Sequence, residues 1–213
     1  LFMSKMGGDY YDYFKLPSGN LGIFFGDVAG HGIPAAMLMA MVKAVIAAAG
    51  SDEMHPQQLL VNANQVLLEL KKRNWRRMMT AVCFDVDMQT GAFSFANAGH
   101  CYPGLVKPEG MGAVLIERSG MPLGSTSKKM PALYSGVLLP GETLVLYTDG
   151  IIESVGSAGE QFGYQRFTEL LQSAWHSDLE VYWRNIIDGY RNWALCQDDD
   201  LTFLLLRLEE NHD

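Results

Sequence analysis

Apolar residues along the chain fall into short continuous runs and longer stripes of helical period. Residues 21–25 form a nearly continuous apolar run that ends at Gly26-Asp27, which predicts a buried strand. Pro34 then suits the first turn of a helix that continues to Ala49, with Gly50 as its stop. That helix is apolar on most sides, so it is expected to be largely buried or to lie in an interface. From near Pro56, the residues Leu59, Leu60, Ala63, Val66, Leu67 and Leu70 make one apolar stripe, which ends in Lys71, Lys72 and Arg73 where a helix dipole favours cations. Residues 81–86 and 92–96 are strand-like and joined by Asp87-Met88-Gln89-Thr90-Gly91, the pattern of a hairpin.

Further strands are expected at 114–117, 134–138, 143–147 and 201–208, and a short helix around 166–173. Leu179, Tyr182, Trp183, Ile186, Ile187, Tyr190 and Trp193 mark a late amphipathic helix, with Trp175, Trp183 and Trp193 read as its core. Strands dominate both ends, and the helices come as two antiparallel-looking pairs. The arrangement is α+β, most simply two packed sheets covered by helices. No linker, repeat or low-complexity tract interrupts it, so residues 1–213 read as a single domain.

Composition narrows the class. A 213-residue chain with 48% hydrophobic and 19% charged residues is not a disordered one. Its net charge of −8 argues against a nucleic-acid partner. Cys83, Cys101 and Cys196 stand far apart, without the pairing of a zinc site or disulfide framework, and suit a reducing compartment. The longest apolar stretch, 33–50, contains Lys43 and is too short for membrane insertion. With no secretory signal visible, a cytoplasmic location is expected. The first residue is Leu1, not Met, which reads as the excised C-terminal part of a longer regulator.

The chemistry lies in the placement of the acids. Asp9 sits in Gly7-Gly8-Asp9-Tyr10-Tyr11-Asp12, and Asp27 sits where the first strand ends, in Gly26-Asp27-Val28-Ala29-Gly30-His31-Gly32. Asp149 follows the strand 143–147, and Asp198, Asp199 and Asp200 open the last one. A lone Asp-Gly pair is usually only a turn. Four such segments, each attached to an apolar strand and nearly free of Lys and Arg, point instead to carboxylates converging on a sheet rim. Gathered there they would repel one another, and divalent cations are the fitting counter-charge. An all-oxygen set suits Mg²⁺ or Mn²⁺. Two such ions held ~3.5–4 Å apart can activate water and neutralise a phosphoryl group.

These segments, in this order along almost the whole chain, resemble the metal-dependent protein phosphatase (PPM) family. The likeness runs through 7–12, 26–32, Asn97-Ala98-Gly99-His100 with Pro103, Pro122-Leu123-Gly124, 147–153, Phe162-Gly163 and Asp199-Asp200-Leu201-Thr202. It is strongest to the bacterial branch typified by RsbU and SpoIIE. The resemblance implies an αββα sandwich of two packed antiparallel sheets flanked by helix pairs, with two Mn²⁺ or Mg²⁺ ions at one edge. It implies that Asp27 bridges the metals, that the Val28 carbonyl binds one, and that Asp149 and Asp199 complete the second site. Asp200 takes the place of Asp199 if the register of the triple shifts by one. Asp9 is the additional acid, binding directly or through water, and Glu153 reaches a third, weaker site.

The implied activity is a serine/threonine protein phosphatase that uses two-metal activated water. Its implied substrate is a phosphorylated bacterial regulator such as an anti-sigma-factor antagonist. A proton for the leaving alkoxide would come from a metal-bound water or from His31, whose simpler role is a turn residue at the start of the next helix. His100 reads as structural. Lys71, Lys72, Arg73, Arg76 and Arg77 read as a solvated helix end, with a docking patch for an acidic partner as the alternative. The Met-rich helix after the first loop reads as core. In this branch the first helix pair is expected to dimerise or to receive an upstream sensory or regulatory domain. Tyr10, Tyr11, Tyr13 and Phe14 are expected to pack the sheet edge, with Tyr11 or Tyr13 lining a substrate entrance as the alternative. Two other functions fit the same fold: a non-catalytic regulatory binding module, and a hydrolase of small phosphoesters.

Overall fold

In the computed structural model, which describes residues 7–49, 55–75, 77–125, 130–194 and 200–208, fourteen strands and helices follow in sequence. The chain runs β1 (Asp9–Lys15), β2 (Leu21–Val28), α1 (Ile33–Ala49), α2 (Pro56–Lys72), β3 (Met79–Val86), β4 (Ala92–Ala98), β5 (Gly104–Val106) and β6 (Ala113–Leu115). It continues through β7 (Leu133–Val137), β8 (Thr143–Tyr147), α3 (Gly150–Glu153), α4 (Gly163–Ser173), α5 (Leu179–Trp193) and β9 (Phe203–Arg207). The contacts divide it into two compact units, Leu1–His100 with Arg118–Val137, and Cys101–Glu117 with Leu138–Asp213.

The first unit is an antiparallel sheet in the order β1-β2-β3-β4-β7, with α1 and α2 on one face. Phe24, Val28, Ala81, Cys83 and Ala96 meet Leu38, Val42, Leu60 and Leu67 from the helices. The intervening residues Ile23, Phe25, Val82 and Phe84 are buried too. Both faces of the central strands are therefore covered, which is why they read as continuous apolar runs rather than as alternation. Phe84 stacks on Phe95, with Phe93 tilted beside them.

β1 lacks such a run, and the sequence pattern does not mark it as a strand. It is an edge strand: Tyr10 and Phe14 pack towards the helices, while Tyr11 and Tyr13 are exposed on the other side. Asp12, between Tyr10 and Phe14, takes a 2.8 Å ion pair from Lys43 of α1. On α1 the small-residue stripe lets Leu38, Val42 and Ile46 reach the sheet, but Ile33 and Met37 remain exposed, so the helix is only half buried.

The second unit is an antiparallel sheet in the order β6-β5-β8-β9, with α4 and α5 supplying its apolar layer. Phe167, Leu171, Tyr182 and Ile186 pack with Val145 and Tyr147. Asp178 caps α5, accepting from the backbone N–H of Glu180 and Val181. Trp175 and Trp193 flank this core as expected, whereas Trp183 is exposed: at its place in the helical period it falls outside the stripe of Tyr182, Ile186 and Tyr190. The strand expected at 114–117 starts at Ala113 and ends at Leu115: the Ile116 N–H still reaches the Pro103 carbonyl in register, but proline has no N–H to return the bond. Three-residue β5 and one-turn α3 are too short to leave a periodic signal.

The fold is thus α+β, two antiparallel sheets each with its own helix pair. Among the described residues no helix is long and apolar enough to cross a membrane.

Candidate metal centre

In the first unit, strand register brings two of the expected acids together. Asp9 of β1 stands directly opposite Asp27 of β2, so both side chains lie on the same side of the sheet at its end. The next contact comes from Gly8. A β-carbon there would collide with the Val28 carbonyl oxygen, lie 2.5 Å from Asp27 Oδ1 and 3.1 Å from the Gly30 carbonyl oxygen. Only glycine allows this approach. Three oxygens, from one carboxylate and two carbonyls, therefore crowd the same point beside Asp9.

The loop after Asp27 is tied down on each side. The Val28 N–H donates to Gly8 O at 3.0 Å and the Ala29 N–H to Met78 O at 3.0 Å. Arg77 Nη1 donates to Ala29 O at 2.7 Å. Gly30 and Gly32 both take positive φ, +96° and +82°, which lets the chain reverse into α1. His31 sits exposed between these two glycines. His100 is buried: it shares a 2.9 Å hydrogen bond with Thr80, the residue paired with Asp27 on β3, and its backbone is held at both N–H and C=O by the Asn97 amide. These bonds fix both its ring and its backbone in place.

In the second unit Asp149 follows β8 and begins α3, but its carboxylate makes no capping bond to that helix. The Thr148 N–H donates to Thr202 O at 3.2 Å, and the Thr202 N–H to Thr148 Oγ1 at 3.1 Å. This clasp extends the β8–β9 pairing and sets the segment 200–202 alongside Asp149. Asp200 and Asp149 are half-buried there, and Glu153 is exposed on α3. Asp198 and Asp199 lie outside the described residues, as do Arg76, Cys196 and Gly50.

Tyr164 belongs to the same neighbourhood. Its ring lies against Tyr102, with centroids 5.4 Å apart. Burial, then Cys101 and Tyr102, then the carboxylates of Asp149 and Glu153 push its hydroxyl up to about 12. Sequence pattern did not single out Tyr102 or Tyr164, nor Arg77 apart from its basic run. Gly8 did carry a signal, since paired glycines before an Asp suggest a close approach.

The donor chemistry fits a hard divalent cation: every candidate atom is oxygen, and a carboxylate pair directly opposite in a strand ladder repels without a cation. Among the described residues no three His, Cys, Asp or Glu side chains are grouped closely enough to hold an ion unaided.

Residues 17–209 match the family described as Stage II sporulation protein E (SpoIIE). The chain belongs to the SpoIIE family. It is 29% identical over 209 residues to the phosphoserine phosphatase RsbU of Bacillus subtilis, covering 95% of this chain and 60% of that one. This SpoIIE domain therefore spans less than two thirds of that relative. Among solved structures it is similar to the SiaA-PP2C domain of Pseudomonas aeruginosa, at a TM-score of 0.80 and 25% identity, covering 95% of this chain and 81% of that one. It is also similar to the RsbU and RsbW domains of Rv1364c from Mycobacterium tuberculosis, at a TM-score of 0.81 and 25% identity, covering 98% and 57% of the two chains.

Proposed function

We propose that this SpoIIE-family domain is a metal-dependent serine/threonine protein phosphatase, acting in the cytoplasm on a phosphorylated regulatory protein. The observation that carries the reading is the pairing of Asp9 with Asp27 beside the Gly8 cradle, in a chain similar to a phosphoserine phosphatase. Two Mn²⁺ or Mg²⁺ ions, when bound, would supply the charge that activates water and stabilises the developing phosphoryl transition state.

The residues that would hold them are Asp9, Asp27 and the Val28 carbonyl from the first unit, with Asp149 and Asp199 from the second. Asp200 and Glu153 are the neighbouring acids able to extend the set. Asp27 and Val28 are fixed by the strand ladder and the loop bonds, so little reorganisation is needed on binding. His31 is exposed on the same loop, and there it can hold a proton for the leaving serine oxygen. Tyr102 and Tyr164 form an aromatic wall beside Asp149 that would bear on the phosphopeptide flank.

The likeness to RsbU supports a substrate of the anti-sigma-factor antagonist kind. In the same reading the first helix pair, with Ile33 and Met37 exposed, is where a regulatory domain or a second copy acts. The test is turnover with Mn²⁺ on a phosphoserine peptide against nucleoside triphosphate and p-nitrophenyl phosphate. A protein phosphatase prefers the peptide in kcat/KM. Preference for the small esters would make it a small-molecule hydrolase, and no turnover on any of them would leave a binding module.

A further inference from the structure

Arg77 is set apart from Lys71 and Lys72 of the same basic run by what it touches. Lys71 donates to the Gly124 and Ser125 carbonyls, and Lys72 pairs with Glu69 one turn back on α2. Arg77, just before β3, instead sends Nη1 to the Ala29 carbonyl. It lies so close to Gly30 that a β-carbon there would collide with Nη1.

The consequence follows from peptide geometry. The Val28 carbonyl and the Ala29 N–H belong to one planar unit and point in opposite directions. Met78 O accepts the Ala29 N–H, so the Val28 carbonyl is turned the other way, into the crowded space beside Gly8 and Asp27 Oδ1. Arg77 holds the following peptide plane by its carbonyl. Residues 77 and 78 thus grip Ala29 at both ends, and neither plane can rotate without breaking a bond. The guanidinium bond is charge-assisted, hence the stronger of the two. Because it ends on a carbonyl, it adds positive charge near the acids without occupying a carboxylate oxygen.

We propose that Arg77 is a positioning residue for the metal centre: by holding the Ala29 carbonyl it keeps the Val28 carbonyl and the Asp27 carboxylate in their metal-binding arrangement. This rests on the reading of Asp27 and Val28 as metal ligands. Lysine does not substitute fully, since a compact ammonium on a flexible stem lacks the preorganised planar guanidinium whose Nη1 reaches the Ala29 carbonyl.

The experiment is Mn²⁺ calorimetry on the 213-residue chain, with amide hydrogen exchange of the metal-free protein, for wild type, Arg77→Ala, Arg77→Lys, Arg73→Ala and Asp27→Ala. Arg73 ends α2, is exposed, and serves as a control for lost charge alone. Arg77→Ala is expected to weaken Mn²⁺ binding by roughly 10- to 100-fold, the usual effect of removing an outer support of a metal ligand. It should also speed exchange at residues 28–32, while β3 stays protected. Arg77→Lys should fall between the two, and Arg73→Ala should match wild type. Wild-type affinity and wild-type exchange in Arg77→Ala would overturn the proposal, as would an equal loss in Arg73→Ala. Should wild type and Asp27→Ala fail alike to bind Mn²⁺, the metal reading itself falls. Faster loop exchange in Arg77→Ala would then mark a purely structural brace, and the proposal would be overturned with that reading.

Discussion

Asp9 and Asp27 face each other across the β1–β2 ladder, two carboxylates in directly opposed positions at the end of one sheet. Like charges so placed destabilise the pairing. Asp9→Asn is therefore expected to raise the melting temperature of the metal-free chain slightly and to weaken Mn²⁺ binding. Thermal unfolding with and without Mn²⁺ checks both effects. A lowered melting temperature in EDTA would show that the pair is not under repulsion.

Gly8 provides the second expectation. Its missing side chain leaves room for the Val28, Gly30 and Asp27 oxygens, so Gly8→Ala must displace backbone as well as a carboxylate. Mn²⁺ binding should be lost, with circular dichroism unchanged. Retained affinity would mean that these oxygens do not contact the metal.

Much of this was legible in the sequence, and the parts that were not share a cause. β2, β3, β4 and β8 are buried on both faces or nearly so, and they announce themselves as apolar runs. β1 mixes aromatic and charged residues with no apolar run, since one of its faces carries exposed tyrosines. Asp9 could be picked out beside its glycines, but its partnership with Asp27 depends on register, which no local pattern records. Arg77 looked like one charge among five, and only the fold reveals its contact with Ala29.

The buried support beneath the first acid pair is the third expectation. Asn97 is 1% exposed and bonds both the N–H and the carbonyl of His100. Asn97→Ala should cost about 1–3 kcal/mol through stranded buried polar groups. Urea unfolding gives the value, and no change in midpoint would mean that water replaces the amide.

A fourth expectation concerns acid. The backbone N–H bonds of Val181, then of Glu180, hold the Asp178 carboxyl below its ordinary value of 3.8. Its folded pKa is depressed, so its contribution is complete above the unfolded value and is lost as pH falls through the folded one. Asp178→Ala should therefore be less stable than wild type near neutrality, with the gap closing as acid is added. Melting curves at a series of pH values test this, and a gap that widens in acid would reverse the sign.

The most direct test is phosphate release from a phosphoserine peptide, measured with Mn²⁺ and with EDTA for wild type and Asp27→Ala. Turnover that requires Mn²⁺ and falls to background in Asp27→Ala is the expected result. Turnover that survives EDTA, or that persists in Asp27→Ala, would contradict a metal-dependent phosphatase built around the Asp9–Asp27 pair.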